Sequence, residues 1–261
     1  MSLDFAARRA IARKRLDAID PAKSGKLDDP YRRDWFRAVY DLADGDEAAV
    51  PWADKAAHPL LRDWLDRQCH PRESGDPGPD YVSMALDPRS LPAEASGMTN
   101  KPLANLRALD VGCGLGDNAE ALANAGARTT AFDLSEEAIH WARRRFPNSA
   151  VVYRAADLFA PPAEWRGAFD FVHECYTLQA LPNALLPEAG RALASFLKPG
   201  GRLLVIARSR PNPAAPDGPP WPLARSDMDA LAANGLALES LEELASSNEP
   251  AHWRALYRRA A

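Results

Sequence analysis

The sequence has few cysteines, no long apolar run and no evident internal repeat. No run of 18 apolar residues occurs, so we expect no transmembrane helix, and the first twenty residues lack the apolar centre of a signal peptide. The three cysteines form no Cys-x-x-Cys pair and give no sign of a disulfide framework. His70 beside Cys69 offers a metal only two ligands, so we expect no metal site. These absences indicate a cytoplasmic protein without a membrane partner.

A strong positive charge is also missing. The formal net charge is −4 and the isoelectric point is near 5.8, which does not suit a protein whose main partner is a polyanion. The central part of the sequence lacks basic patches with interleaved aromatic residues, which a groove for single-stranded nucleic acid needs. We therefore expect a small-molecule substrate and no nucleic-acid partner. The oligomeric state, monomer or dimer, is left open.

The clearest positive feature is a short apolar strand, a glycine turn and a helix, in that order. The turn has the spacing Asp110-x-Gly112-x-Gly114-x-Gly116. Glycines let the backbone approach a ligand closely, and free N–H groups at a helix start favour electron-rich atoms. The dinucleotide pattern Gly-x-Gly-x-x-Gly would need a glycine where this chain has Asp117. Asp117 or the asparagine after it is positioned to cap the helix.

This stretch resembles motif I of the class I S-adenosylmethionine-dependent methyltransferases. The resemblance implies that S-adenosylmethionine is the cofactor. It also implies that the cofactor is bound by the motif residues, which are Asp110, Gly112, Cys113, Gly114 and Gly116.

A second predicted strand ends at Asp133, seventeen residues after Gly116, and Leu134 follows it. Parallel neighbouring strands deliver their carboxyl ends to the same crevice, where a carboxylate can accept both ribose hydroxyls of an adenosine. The alternative is that Asp133 only caps the next helix, although Ser135 already offers that cap.

Two further strand ends complete the predicted cofactor site. Asp157 and Leu158 stand where the family's acidic residue contacts adenine; the alternative for Asp157 is a loop-capping role. Glu174, Cys175 and Tyr176 stand where the family holds the methionine part of the cofactor and the acceptor. Tyr176 is expected either to meet the cofactor or acceptor through its hydroxyl or to be a core residue.

The alternation of strands and helices predicts a Rossmann-like α/β fold. We expect a doubly wound, seven-stranded sheet that ends in an antiparallel hairpin. The turn Lys198-Pro-Gly-Gly201, ahead of a strand from Arg202 to Arg208, is a further family hallmark. The sequence thus divides into a helical N-terminal lid (residues 1–68), a flexible Pro/Gly-rich insertion (69–102) and a cofactor-binding domain (103–261).

The lid resembles that of the thiopurine S-methyltransferase-like branch through Val-Pro-Trp52 and the later Pro-Leu-Leu. That resemblance makes Trp52 a residue that covers the cofactor; packing against Trp64 is the alternative. Members of that branch commonly carry an Asp-Arg pair where this chain has Glu174-Cys175, which weakens the inference of an anionic acceptor.

The function predicted from the sequence is methyl transfer from S-adenosylmethionine to a small molecule. As the methyl acceptor, a soft sulfur or chalcogen nucleophile is favoured slightly over a hydroxyl or an amine. A non-catalytic protein that binds the cofactor is the alternative from another class. An acidic thiol needs no general base, whereas a phenol or amine does. We expect no essential base; His173 is the nearest candidate, although strand alternation points it away from the crevice, and His252 is a weaker one.

Overall fold

A computed structural model describes residues 4–25, 27–69, 101–211, 218–245 and 250–261. Almost all of the predicted insertion at 69–102 lies outside the described residues, so its predicted flexibility stays a prediction. Within the described part of the chain, no helix is long and apolar enough to cross a membrane.

The described residues form a mixed sheet with helices on both faces. The helices are α1 (Phe5–Ile19), α2 (Arg33–Ala43), α3 (Pro59–Cys69), α4 (Asp117–Asn124), α5 (Glu136–Arg145), α6 (Leu186–Phe196) and α7 (Arg225–Leu231). The strands are β1 (Arg107–Val111), β2 (Arg128–Asp133), β3 (Val152–Ala155), β4 (Phe169–Cys175), β5 (Leu197–Arg208), β6 (Leu236–Leu244) and β7 (His252–Arg259).

The sheet has the strand order β3-β2-β1-β4-β5-β7-β6. Strands β1 to β5 are parallel, and β7 runs antiparallel between β5 and β6. This order confirms the predicted doubly wound, seven-stranded sheet with its C-terminal hairpin. Because the order reverses between β1 and β4, a ligand crevice is expected at the carboxyl ends of these two strands.

Strand β5 begins five residues earlier than predicted. Phe169 of β4 pairs with Leu197, but Phe171 pairs with Arg202, so residues 198–201 bulge out of the pairing. Gly200 has a φ of +75°, which fits a tight bend. The predicted Lys-Pro-Gly-Gly turn is therefore present, but as a bulge inside the strand.

The N-terminal helices share their apolar cores with the sheet. Trp64 of α3 stacks on Phe171 of β4 with ring centroids 5.1 Å apart, in a cluster that also contains Leu61 and Leu204. Tyr40 of α2 packs in a second cluster with residues of the glycine turn and of α5. Residues before position 69 thus pack directly against elements that follow position 102.

A buried ion pair fixes the segment between α1 and α2. Arg32 Nη2 lies 2.5 Å from Asp20 Oδ2, and the two side chains are only 1% and 2% exposed. Arg32 Nη1 also donates to the carbonyl of Ala180, which follows β4 in the chain. The guanidinium packs over the ring of Trp35 at 4.0 Å. Arg32 therefore ties the N-terminal segment to the loop beyond β4.

Candidate functional site

All three glycines of the motif have positive φ, at +63°, +53° and +93° for Gly112, Gly114 and Gly116. A Cβ on Gly112 would overlap the Thr177 hydroxyl, and a Cβ on Gly116 would lie 2.5 Å from Tyr153 Oη. Two of the glycines are thus needed to make room for side chains of the chain itself. The helix after them, α4, begins at Asp117, and Gly116 occupies its N-cap position without a side-chain cap, so the predicted cap at Asp117 or the next residue is wrong. Asp117 instead pairs with Arg145.

Gly114 faces two aromatic side chains of the N-terminal segment. A Cβ there would lie 3.4 Å from Tyr40 Oη and 3.6 Å from Trp52 Cδ1. Trp52 Nε1 donates to Tyr40 Oη over 2.8 Å, which holds the indole in place. Trp64, its alternative partner, stacks on Phe171 instead. The structure thus places Trp52 over the glycine turn, and its contact with the cofactor stays a prediction.

Asp133 lies at the end of β2 and is 8% exposed. Its carboxylate forms hydrogen bonds both to the glycine turn and to the start of α5. Its Oδ2 accepts from Gly114 N over 3.0 Å, and its Oδ1 accepts from Ser135 N over 3.0 Å. The helix cap itself is Ser135 Oγ, which accepts from Ala138 N. Burial raises the pKa of Asp133 to about 6, against the lowering effect of these N–H groups. A carboxylate oxygen has two lone pairs, so each still has capacity for one ribose hydroxyl.

The predicted adenine contact, Asp157, meets the N-terminal segment. Arg33 Nε lies 2.7 Å from Asp157 Oδ2, while Oδ1 accepts from Phe159 N over 2.8 Å in the loop-capping manner. Tyr31 packs edge-on against Phe159 with centroids 4.6 Å apart. Leu158 is 7% exposed and belongs to the main core. The sequence interpretation missed Arg33, which no motif distinguishes from the other arginines.

Asp110 and His173 form a buried pair across β1 and β4. The distance from Asp110 Oδ1 to His173 Nδ1 is 2.7 Å, and neither side chain is more than 2% exposed. Asp110 Oδ2 and His173 Nε2 have no hydrogen-bond partner among the described residues. His173 is therefore buried and paired with Asp110, and whether it acts as a base stays a prediction. A direct contact between Asp110 and the cofactor stays a prediction.

Glu174 stands beside the end of β1, in register with Val111. It is fully buried, and its Oε1 accepts from Leu178 N over 2.7 Å. Its Oε2 has no partner among the described residues. Burial raises the pKa of this carboxyl to about 8. A cationic group at Oε2 would give this orphaned oxygen a partner and would favour ionisation.

The two cysteines of the predicted site are not prepared as nucleophiles. Burial raises the pKa of the Cys113 thiol and that of the Cys175 thiol well above the ordinary value. Thiolate is the reactive form of cysteine, so both side chains act as small packing groups at neutral pH.

Tyr176 follows directly after β4 and has a φ of +69°, which is rare for a residue with a side chain. Its hydroxyl lies 2.9 Å from His58 Nε2 and 2.7 Å from His252 Nε2. His252 begins β7 opposite Arg208, the last residue of β5. The sequence interpretation missed His58, which stands 118 residues before Tyr176 with nothing in the sequence to pair the two.

The residues at this edge fit S-adenosylmethionine. Carboxylates stand at the ends of β2, β3 and β4, around a turn of glycines with positive φ. The orphaned Glu174 Oε2 suits the ammonium of an amino acid, and Asp133 suits vicinal hydroxyls. Among the described residues, no group of three or more side chains is arranged to hold a metal ion.

Comparisons with known proteins agree with this geometry. Residues 108–201 match the family described as "Methyltransferase domain". A ubiquinone biosynthesis O-methyltransferase of Xanthomonas campestris pv. campestris is 39% identical over 140 residues, 53% of this chain and 56% of that protein. One from Xanthomonas euvesicatoria pv. vesicatoria is 39% identical over 142 residues, with the same coverage. The chain thus spans about half the length of the curated relatives that it matches.

Solved structures with the same fold share less sequence. Magnesium protoporphyrin IX methyltransferase from Synechocystis PCC 6803 has a TM-score of 0.51 and 19% identity, covering 60% of this chain and 76% of that one. The cyclase SpnF has the same TM-score, identity and coverage. These likenesses show the fold, and the cyclase illustrates that the fold alone does not fix the reaction. The methyltransferase match, in contrast, agrees with the predicted cofactor, S-adenosylmethionine.

Proposed function

We infer that this chain, which carries a class I S-adenosylmethionine-dependent methyltransferase domain, transfers a methyl group to a hydroxyl group of a small molecule. The observation that carries the proposal is the position of Asp133. Its carboxylate is hydrogen-bonded beneath a turn of positive-φ glycines, inside the segment that matches the methyltransferase domain. When bound there, S-adenosylmethionine supplies an electrophilic methyl group on a positively charged sulfur.

The chain's own residues have three tasks in this reaction. Asp133 accepts the ribose hydroxyls, and Glu174 faces the ammonium of the methionine part. Trp52 and Tyr40, seated on Gly114, cover the turn and exclude water from the reacting atoms. Methyl transfer is an in-line displacement, so its rate depends mainly on alignment of the acceptor with the methyl carbon and on a dry site.

We favour a hydroxyl group as the methyl acceptor over the thiol that the sequence favoured. The curated relatives are named O-methyltransferases, and they match half of this chain. The histidines beside Tyr176 also offer neutral nitrogen atoms near the acceptor side of the sheet, which a thiol would not require. The thiopurine S-methyltransferase-like branch, with a thiol acceptor, remains the second candidate through the Val-Pro-Trp52 segment.

Calorimetry with S-adenosylmethionine tests the cofactor site first. Asp133→Asn removes one charged acceptor and should weaken binding at least about tenfold, since hydrogen bonds to charged groups contribute about 1.5–3 kcal/mol. Asp229→Asn is the matched control, because Asp229 is half-exposed and pairs only with Arg225 among the contacts described. Equal affinities of the two variants would remove the ribose assignment.

Transfer is then measured with methyl-labelled S-adenosylmethionine against separate phenols, aliphatic alcohols, thiols and amines. Label in a hydroxyl compound is the expected result. Label in thiols alone would favour the second candidate. Tight cofactor binding without transfer to any class would contradict the enzymatic proposal.

A further inference from the structure

Two arginines adjoin the rings of His58, Tyr176 and His252 at the carboxyl ends of β4 and β5. The centroid of the Tyr176 ring lies 5.2 Å from that of His58 and 5.7 Å from that of His252. Arg208 is the last residue of β5, and its guanidinium carbon lies 5.8 Å from the centroid of the Tyr176 ring. Arg62 lies in the first turn of α3, where its backbone N–H donates to the His58 carbonyl over 3.1 Å. One arginine thus reaches the cluster of rings from β5 and the other from α3.

The register of the sheet fixes the direction in which Arg208 leaves β5. Arg208 pairs with His252 at the start of β7, and directly opposed residues of antiparallel strands project from the same face. Leu204 and Ile206, at alternate positions before it, pack in the cluster that contains residues of α3. Arg208 therefore projects from the face of the sheet that α3 covers. His58, in the segment before α3, reaches the same edge.

Neither arginine has an acidic partner among the residues that the structure describes. The Nε atoms of Arg62 and Arg208 are both buried without a hydrogen-bond acceptor, and neither side chain forms an ion pair in the described ranges. The other arginines with a buried Nε of this kind each pair with a carboxylate; they are Arg9, Arg32, Arg67 and Arg202. Buried donors of a folded protein normally have an acceptor, so the two orphaned atoms point to a ligand with acceptor oxygens.

The titration of the two histidines reports the same positive charge. Burial, followed by Arg208, lowers the pKa of His252. Burial, followed by His252, His173 and Arg62, lowers the pKa of His58 to about 3. Both rings are therefore neutral at neutral pH, and the positive charge beside them belongs to the two arginines. A negatively charged ligand would be attracted to this edge of the sheet.

The cluster stands on the half of the edge that the predicted cofactor contacts leave open. The strands that end there, β4 and β5, lie on the other side of the β1–β4 reversal from β2 and its Asp133. A cofactor whose ribose is held by Asp133 leaves this half of the crevice to the molecule with which it reacts.

We propose that Arg208 binds a carboxylate of the methyl acceptor and that Arg62 adds a second positive charge to this subsite. The inference rests on the proposed function and narrows its acceptor to a hydroxylated carboxylic acid. A guanidinium is planar and donates from Nε and one Nη to the two oxygens of a carboxylate. Such a contact uses the buried Nε of Arg208, and Arg208 alone satisfies both oxygens.

Calorimetry in the presence of S-adenosylhomocysteine, the demethylated cofactor, measures the subsite without any transfer. The probes are 2-, 3- and 4-hydroxybenzoate and the three matching hydroxybenzamides, which are neutral. At least one acid should bind about tenfold more tightly than its amide, because hydrogen bonds between charged groups are among the strongest that proteins form. Equal affinities of acid and amide for all three isomers would overturn the subsite. Tighter binding of phenyl phosphate than of every acid would overturn the assignment to a carboxylate.

Variants of Arg208 assign the preference to this side chain. Arg208→Gln should weaken binding of the preferred acid about tenfold and leave binding of its amide unchanged. Arg208→Lys keeps the charge without the planar fork and should restore part of the affinity. Arg202→Gln is the matched control, because Arg202 lies earlier in β5 and pairs with Glu239. Equal losses for acid and amide, or the same loss in Arg202→Gln, would show a structural role and overturn the assignment.

Arg62→Gln tests the second charge. It should weaken binding of the acid less than Arg208→Gln does, because a charge that makes no bidentate contact is partly screened by solvent in a half-buried site. Its affinity for S-adenosylhomocysteine should equal that of the wild type. A loss of acid binding confined to Arg62→Gln would overturn the assignment of the carboxylate to Arg208.

Methyl transfer distinguishes this inference from the proposed function. With methyl-labelled S-adenosylmethionine, kcat/KM for the preferred hydroxybenzoate should exceed that for its amide about tenfold, and Arg208→Gln should raise KM for the acid alone. Transfer to neutral phenols or alcohols with no preference for acids would overturn the subsite and leave the proposed function intact. Binding of acids that depends on Arg208, without transfer to any hydroxyl compound, would overturn the proposed function and leave a carboxylate-binding site.

Discussion

Glu174 is predicted to make the protein less stable as the pH rises. The side chain is fully buried, and its Oε2 has no partner among the described residues. Burial raises its pKa from the ordinary 4.5 to about 8. Between these values the folded state keeps the proton while the unfolded state has lost it. The free energy of unfolding therefore falls as pH rises through this range.

The size of the effect follows from the two pKa values. A shift from 4.5 to about 8, at about 1.36 kcal/mol for each pKa unit, corresponds to about 5 kcal/mol at pH 9. Glu174→Gln keeps the volume of the side chain and the oxygen that accepts from Leu178 N. Because a glutamine carries no charge, the variant should escape the penalty. It should be within about 1 kcal/mol of the wild type at pH 5 and about 5 kcal/mol more stable at pH 9.

Urea unfolding of wild type and Glu174→Gln at pH values from 5 to 9 measures this difference directly. Subtracting the two curves removes the contributions of other groups, such as Asp133, whose pKa is raised, and His58, whose pKa is lowered. Glu164→Gln, which makes the same substitution on an exposed side chain, is the control variant. A constant difference for Glu174→Gln across the range would refute the assignment of a buried, protonated carboxyl.

Three other changes have defined outcomes. Gly116→Ala should cost about 2–3 kcal/mol in urea unfolding, because its φ is +93° and the new Cβ would lie 2.5 Å from Tyr153 Oη; a loss under 1 kcal/mol would contradict the overlap. Arg32→Met should cost about 3–5 kcal/mol by leaving the Asp20 carboxylate buried alone, and adding Asp20→Asn should recover part of it. Trp52→Ala should weaken S-adenosylmethionine binding about tenfold, as measured by calorimetry. Trp64→Ala should mainly lower the melting temperature, because Trp64 stacks on Phe171. Equal losses of affinity in the two variants would show that Trp52 does not cover the cofactor.

The sheet could be predicted from the sequence because its strands are short apolar runs separated by glycine turns and amphipathic helices. Parallel strands buried on both faces leave little freedom in how such a chain folds. The start of β5 was less predictable. Its Pro-Gly-Gly segment indicates a turn, but neighbouring Phe169 and Leu197 complete a strand pair on the far side of it. Local residue preferences do not contain that information.

The carboxylates of the predicted cofactor site, Asp133, Asp157 and Glu174, could be found from the sequence, since each stands at or near the end of a predicted strand. The contacts of Tyr176 could not. Its partners, His58 and His252, come from the segment before α3 and the start of β7, and only the folded sheet brings them to the end of β4. His58 and Arg33 have no sequence signal, because what sets them apart is a contact with Tyr176 or Asp157 more than 100 residues away.

The spacing of the glycine motif indicates close approach of a ligand, but the structure gives two of its glycines a different reason. Close approach of a ligand explains at most Gly114, which faces Tyr40 and Trp52. Gly112 and Gly116 are required by Thr177 and Tyr153, side chains that enter the turn from beyond β4 and from β3. The turn is thereby locked to the two strands that flank the β1–β2 pair, so its backbone is fixed before any cofactor arrives. A cofactor that binds at this turn would meet a backbone with little conformational entropy left to lose, so we expect the glycines to support affinity through rigidity as much as through contact.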